Sequence, residues 1–316
     1  MQQYTEKIRE VARKLLEEGK VDVFIGYKKG SVPMMNEPVL ISDPSKVDRL
    51  FWDSNCGLNL CNYLTRRTER IGIVANGCNS RNIVTHIIEN QIKREQLYIV
   101  GIPCTGMIDH RAVARAVNHR EILGVEDQGE TFLVKGKDFE ETFEKKDFLQ
   151  RNCAVCRHHN PVISDEMIAS PVEEPEEVTV YHDVEQLEKK TSDEKWAFFT
   201  QLISKCIRCY ACRDVCPLCY CPTCFVDESR PQWVGKSTDP TDTMTFHILR
   251  AYHCAGRCTD CGACERVCPV GISVRQFTKK LNKDAEDLFS WEAGLSLEQR
   301  PPLDTYRPDD YNDFIR

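Results

Sequence analysis

Apolar positions recur at helical spacing over residues 5–19, where Ile8, Val11, Ala12, Leu15 and Leu16 share one face and Gly19 offers a C-cap. A short β-branched run at 21–25 reads as a strand. A loop-rich section with Pro33, Pro38 and Pro44 follows. Residues 71–75 form a continuous apolar run, read as a buried strand. Gly77-Cys78-Asn79-Ser80 then makes a turn, with Asn79 or Ser80 available to cap a helix whose face carries Ile83, Ile87, Ile88 and Ile92. Residues 97–102 repeat the strand pattern, and Pro103-Cys104-Thr105-Gly106 turns into a helix over 109–117. Two uninterrupted apolar strands, each followed by a helix, predict an α/β N-terminal domain with a parallel sheet covered by helices.

Beyond residue 170 the pattern changes. Residues 171–178 are rich in Pro and Glu, and we place an acidic linker over 171–191 between an α/β domain at 1–170 and a mainly α-helical unit at 192–284. Ser192 is positioned to cap a helix carrying Trp196, Phe199, Leu202 and Ile203. Residues 270–273 begin another helix, on which Phe277 and Leu281 face inward. The tail at 285–316 has aromatic and proline residues (Trp291, Pro301, Pro302, Tyr306, Pro308, Tyr311, Phe314) without periodicity. It reads either as a disordered terminus or as an arm that docks on a partner subunit through aromatic anchors.

Composition narrows the function. A net charge of −7 over 316 residues argues against nucleic-acid binding, which calls for a basic face. No apolar run approaches the ~20 residues of a membrane span. Eighteen cysteines are far more than packing needs. With no apolar segment after Met1 and with metal-ligand spacing among the thiols, they predict a protein of the reducing cytoplasm rather than a disulfide scaffold.

The strongest chemical signal is a pattern that occurs twice. Cys206, Cys209, Cys212 and Cys216-Pro217 read C-x2-C-x2-C-x3-C-P, and so do Cys258, Cys261, Cys264 and Cys268-Pro269. This spacing aims three thiolates at one [4Fe–4S] cube, while the Cys before proline reaches the other cube. The expected ligand sets are therefore Cys206, Cys209, Cys212 and Cys268 for cluster one, and Cys258, Cys261, Cys264 and Cys216 for cluster two. A pair of zinc sites is the alternative, but zinc usually takes two C-x2-C pairs or Cys/His mixtures. The loop charges Arg208, Arg213, Asp214, Asp260, Glu265 and Arg266 are read as a solvated face. The stretch 218–257 between the motifs is an insertion. It carries Cys219, Cys221 and Cys224, with Cys254 near its end, and these four are a candidate further metal site or a group of shielding thiols.

Six more cysteines lie in the N-terminal half. Cys56 and Cys61 read either as ligands or as two buried thiols. Cys78 and Cys104 each fall where a strand ends and a helix begins, the edge at which parallel sheets bind ligands and helix N-termini favour negative charge. Gly77, Cys78, Asn79, Ser80 and Arg81 are thus a candidate border for a flavin or a cluster. Cys153 and Cys156 supply a C-x2-C. A third [4Fe–4S] cluster is expected on Cys104, Cys153 and Cys156, completed by Cys78 or by one of Cys56 and Cys61. A zinc site, or thiols beside a flavin, are the alternatives. His158 and His159 are read as solvated or structural, since the split Cys and His segments of a Rieske centre are missing. There is no G-x-G-x-x-G and no P-loop.

Gly101-Ile-Pro103-Cys104 and Cys153-Ala-Val-Cys156 resemble the G-x-P-C and C-x2-C elements of the F420-reducing hydrogenase and formate dehydrogenase beta-subunit family, over roughly residues 20–170. The resemblance implies FAD and an iron–sulfur cluster in that domain, with Cys104, Cys153 and Cys156 as ligands. The C-terminal half resembles the dicluster ferredoxin domains of heterodisulfide-reductase-linked subunits. Here both cluster motifs follow the N-terminal domain, whereas in the family the ferredoxin motif commonly precedes it. The expected function is an electron-transfer subunit of an anaerobic redox complex, working between a formate dehydrogenase- or hydrogenase-like partner and a heterodisulfide-reductase-like or other acceptor. A flavin oxidoreductase acting on a soluble hydride carrier is the second reading, and a zinc-stabilised scaffold the third.

Overall fold

The computed structural model describes residues 2–176 and 178–302. Helix α1 (Gln2–Glu17) buries Ile8, Val11, Ala12 and Leu15 against the sheet. Gly19 takes a left-handed φ of 61°, which lets the Lys20 N–H reach back to the Leu15 carbonyl at 2.9 Å and close the helix end. Strand β1 (Val23–Lys28) leads to β2 (Glu37–Ile41), which pairs with it antiparallel. The section read as loop thus holds a strand. It is an edge strand, where Pro38 removes no ladder hydrogen bond that the sheet needs.

Strand β3 (Ile71–Ala75), helix α2 (Gly77–Ile88), strand β4 (Leu97–Gly101) and helix α3 (His110–Ala116) follow the expected β-α-β-α order. The sheet runs β2-β1-β3-β4-β8, where β8 is Glu166–Met167, and β1, β3, β4 and β8 are parallel neighbours. The cap of α2 is Asn76, whose side chain accepts from the Asn79 N–H at 3.1 Å. Asn79 and Ser80 lie inside the first turn instead. Helix α2 is buried almost all round, polar positions included. Its apolar side packs on the sheet, and its polar side hydrogen-bonds across a seam to the C-terminal unit.

A small antiparallel sheet of β5 (Ile122–Asp127), β6 (Thr131–Gly136) and β7 (Glu140–Glu144) was not expected. Its core is the ring cluster Phe132, Phe143 and Phe148. The stretch expected as an acidic linker contains helix α4 (His182–Glu188), tied to the C-terminal unit by ion pairs from Lys280 and Lys283 to Glu188.

Helices α5 (Ser192–Ile203), α6 (Ala211–Asp214), α7 (Pro240–His253), α8 (Ala263–Arg266) and α9 (Arg275–Phe289) make up the C-terminal unit. Thr191, not Ser192, caps α5, in a reciprocal box with Glu194. The insertion between the motifs supplies α7. After α9 the chain returns to α2. Trp291 is buried and donates to the Gly256 carbonyl at 2.6 Å, and Arg81 donates to the Ala293 carbonyl. Tyr306, Pro308, Tyr311 and Phe314 lie outside the described residues.

Candidate metal centres

The two repeated motifs fold alike. In each, the second and fourth residues after the first cysteine take left-handed backbone: Arg208 (φ 50°) and Tyr210 (60°) in one loop, Asp260 (57°) and Gly262 (70°) in the other. Each loop then enters a four-residue helix, α6 or α8. The left-handed turns wrap the chain so that backbone amides point at sulfur. The Arg208 N–H donates to Cys206 Sγ and the Asp260 N–H to Cys258 Sγ, both at 3.4 Å. Left-handed backbone costs a non-Gly residue roughly 1–2 kcal/mol, and three of these four positions are not Gly. Gly262 is needed twice over, because a Cβ there would also collide with the Asn152 side chain.

Cys268 packs in one cluster with Cys206 and Cys212 of the first motif, and Cys216 borders one cavity with Cys258, Cys261 and Cys264 of the second. Burial raises the Cys206 and Cys212 thiols, and the facing charge of Cys268 raises both further. Burial likewise pushes Cys258 up to about 12 and Cys264 well above its ordinary value, with Cys216 among the charges acting on each. The guanidinium of Arg250 is buried between the two groups. It donates to the Cys212 carbonyl at 2.8 Å and feels the charge of Cys216, Cys254, Cys264 and Cys212. Arg250 was not singled out in the sequence. Its mark there is its place on the buried face of α7 with Thr243, Phe246 and His247.

A third group of thiols gathers at the C-terminal edge of the parallel sheet. Cys78 opens α2, Cys104 follows β4, and Cys153 and Cys156 flank a 3-10 turn. Burial is the main cause that raises all four, Cys104 to about 11 and Cys156 to about 12, and each of Cys78, Cys104 and Cys156 also feels Cys153. The Gly106 N–H donates to Cys104 Sγ at 3.4 Å and Asn152 Nδ2 lies 3.6 Å from Cys153 Sγ. Gly77 allows the approach of the 158–160 segment, since a Cβ there would strike the His158 carbonyl. All four thiols line one cavity, and Cys258 and Cys261 line the same cavity from the other unit. Cys56 reaches this wall too, but its sulfur accepts from Asn36 Nδ2 at 3.3 Å, within the apolar core. Cys61 donates to the Asn79 carbonyl at 3.2 Å. Both are buried, and Cys56, like Cys78, also feels the charge of Cys104.

The residues 77–81 thus border the thiol cavity. Arg81 is spent on the segment after α9: its guanidinium donates to the Ala293 carbonyl and lies 2.9 Å from Glu292 Oε1. Glu292 also receives His158 Nε2 at 2.7 Å and Arg157 at 3.2 Å. His158 is therefore structural, and the His159 amide donates to Glu174.

The insertion cysteines do not assemble as a set of four. The sulfur atoms of Cys219 and Cys254 lie with Cys216, all within 4.8 Å of one another. Hydrogen bonds from these two thiols hold Cys216 well below its ordinary value. Cys221 is exposed, and Cys224 packs against Val226, Val234 and Phe246. The loop charges also differ from expectation. Arg208 is buried and donates to the Gly235 carbonyl at 2.6 Å, Arg266 donates to Gln150 across the seam, and Asp260 and Glu265 both pair with buried Arg275. Of the six, Asp214 lies on an outer face, while Arg213 is half-buried and pairs with both Asp214 and Asp227. The six look alike in sequence because a charged residue shows no sign of its distant partner.

A two-motif thiol cradle of this kind defines an iron–sulfur protein, and residues 201–272 match the 4Fe-4S dicluster domain. Over nearly its whole length the chain is similar to F420-dependent formate dehydrogenase subunit beta of Methanocaldococcus jannaschii, at 23% identity, with 92% of this chain and 91% of the relative covered. A second relative is F420-dependent formate dehydrogenase 1 subunit beta of Methanococcus maripaludis, 28% identical over 37% of this chain and 28% of its own length. Among solved structures, a chain of the F420-reducing [NiFe] hydrogenase complex from Methanosarcina barkeri aligns over 48% of this chain and 58% of its own length, at 16% identity and a TM-score of 0.39. The dicluster domain and the full-length likeness to a formate dehydrogenase beta subunit support an iron–sulfur electron-transfer role. No helix among the described residues is long and apolar enough to cross a membrane.

Proposed function

We propose that the chain relays single electrons through three [4Fe–4S] clusters within a multi-subunit oxidoreductase. Cys206, Cys209, Cys212 and Cys268 hold cluster one, Cys258, Cys261, Cys264 and Cys216 hold cluster two, and Cys78, Cys104, Cys153 and Cys156 hold the third. The observation that carries this is the shared cavity: the third group of thiols and the Cys258–Cys261 loop face each other across one void. A [4Fe–4S] cluster, when bound, exchanges one electron at a time at a potential set by charge, hydrogen bonds to sulfur and burial.

The residues present fit such groups. Twelve thiols stand in three sets, amides and side-chain amides already aim at sulfur, and Arg250 offsets charge between the two ferredoxin-type sets. The hydrogen-bonded seam through α2 keeps the two units in register. By likeness to the formate dehydrogenase beta subunits, the partners are a formate dehydrogenase- or hydrogenase-like catalytic subunit on one side and a heterodisulfide-reductase-like or other acceptor on the other. The thiols, all free among the described residues, suit a reducing cytoplasm. The edge at residues 77–81 serves the third cluster in this reading, with Arg81 engaged by Glu292 and the Ala293 carbonyl.

The test is the iron, sulfide and flavin content of anaerobically purified chain, with EPR of the reduced form. About twelve irons without flavin support the proposal. About eight irons would leave only the dicluster domain loaded. Flavin at one per chain would favour the oxidoreductase that reacts with a hydride carrier itself.

A further inference from the structure

Helix α7 buries Thr243, Phe246, His247, Arg250 and Ala251 on one face, at positions that share a helical stripe. His247 is 3% exposed. Its ring is edge-on to Phe246, with centroids 5.0 Å apart, and tilted against Phe277 at 6.2 Å. Two large apolar rings thus fix the imidazole on its buried helix. Its Nε2 lies 3.2 Å from Cys206 Sγ. A ligating cysteine is a thiolate, which only accepts, so Nε2 is the protonated ring nitrogen and donates. Cys206 already receives the Arg208 N–H, and its counterpart Cys258 receives the Asp260 N–H in the same way. Among the described residues no side chain is hydrogen-bonded to Cys258 Sγ, so the imidazole breaks the symmetry of two otherwise matching loops.

We infer that His247 is a positioning residue for cluster one, donating an N–H···S hydrogen bond through Cys206 that raises the cluster's reduction potential. Reduction adds negative charge, and a donor to sulfur strengthens as the acceptor becomes more negative. The donor therefore stabilises the reduced form more than the oxidised form, one of the means by which a protein sets cluster potential. This rests on the assignment of Cys206 to a cluster. The insertion that separates the two motifs then has a specific use, since it carries the helix that presents this ring.

The experiment is redox titration followed by EPR on the full chain, comparing wild type with His247→Phe and His247→Gln. In His247→Phe the cluster-one signal is expected to need a lower potential, by about a tenfold change in the reduced-to-oxidised ratio, or ~59 mV for a one-electron couple. The cluster-two signal stays in place. His247→Gln, which keeps an N–H donor, recovers at least part of the shift. An unchanged cluster-one potential in His247→Phe overturns the inference, as does an equal shift of both signals. If His247→Phe loses the cluster, the wild type decides. Reduced chain grown with nitrogen-15 histidine should show a histidine nitrogen coupling on cluster one by pulsed EPR, absent in His247→Gln, and its absence in the wild type overturns the inference. Failure of the cluster assignment itself looks different: iron would be missing from wild type at the Cys206 set.

Discussion

Cys78 faces Cys261 across the seam between the two units. After burial, the charge of Cys261 is the largest influence on the Cys78 thiol, ahead of Cys104, Cys153 and Cys156 from its own unit. The third group of thiols is therefore an extension of the dicluster domain as much as a site of the α/β sheet. Replacing Cys104 with Ala should lower bound iron from about twelve to about eight per chain. Both ferredoxin-type EPR signals should survive and lose any magnetic coupling to the third centre. Retention of all the iron in Cys104→Ala would exclude Cys104 as a ligand.

The crossing of the fourth ligands makes a sharper prediction. Cys268→Ala should impair the cluster held by Cys206, Cys209 and Cys212, although it belongs to the other motif, because Cys268 lies among those thiols. Cys216→Ala should reverse the pattern. The check is EPR of each reduced variant, and selective loss of the cluster belonging to the mutated motif would refute the crossing.

Much of this arrangement was legible in the chain. Ligand spacing is local, so the two C-P motifs exposed their chemistry directly, and continuous apolar runs marked β3 and β4. What was not legible depends on distant partners. Strand β2 hid behind Pro38 because an edge strand tolerates proline. The sequence offered no reading of the polar side of α2, where Asn82 donates to Thr259 at 2.7 Å and His86 meets the Pro217 carbonyl at 2.8 Å, both in the other unit. Arg250 and His247 carry no motif. They matter because α7 turns one face to the thiols.

Iron removal should affect the two units unequally. The parallel sheet has one continuous apolar core that includes Phe24, Ile25, Leu50, Ile73 and Ile99, whereas among the described residues the C-terminal unit has small clusters such as Val226, Val234 and Phe246, or Cys268, Ile272 and Val274. Thiolate ligation thus contributes much of the folding free energy of that unit. Chelation of iron from anaerobic protein should lead to fast amide exchange in α5, α7 and α9 while β1, β3 and β4 stay protected. Equal loss of protection throughout would show that the sheet also depends on its cluster.

The last prediction concerns the clasp that closes the seam. Glu292 receives Arg81 at 2.9 Å, His158 at 2.7 Å and Arg157 at 3.2 Å, with the Arg81 side chain 7% exposed and that of Glu292 22%. Burial alone would raise the carboxyl, but the bond from His158 and the charges of Arg81 and Arg157 outweigh it and hold the group at about 2. A carboxyl depressed on folding contributes stability in full above its unfolded value near 4.5 and loses that contribution as pH falls towards about 2. At neutral pH the clasp is therefore fully engaged. Glu292→Gln keeps the shape but not the charge, and leaves Arg81 buried beside a neutral partner. It should cost about 2 kcal/mol in urea unfolding at pH 7. It should also speed amide exchange in the 291–293 segment and at the start of α2, and leave the iron content unchanged. A variant as stable as wild type at pH 7 would mean that the Ala293 carbonyl alone suffices to hold Arg81, and that the carboxylate adds nothing to the seam.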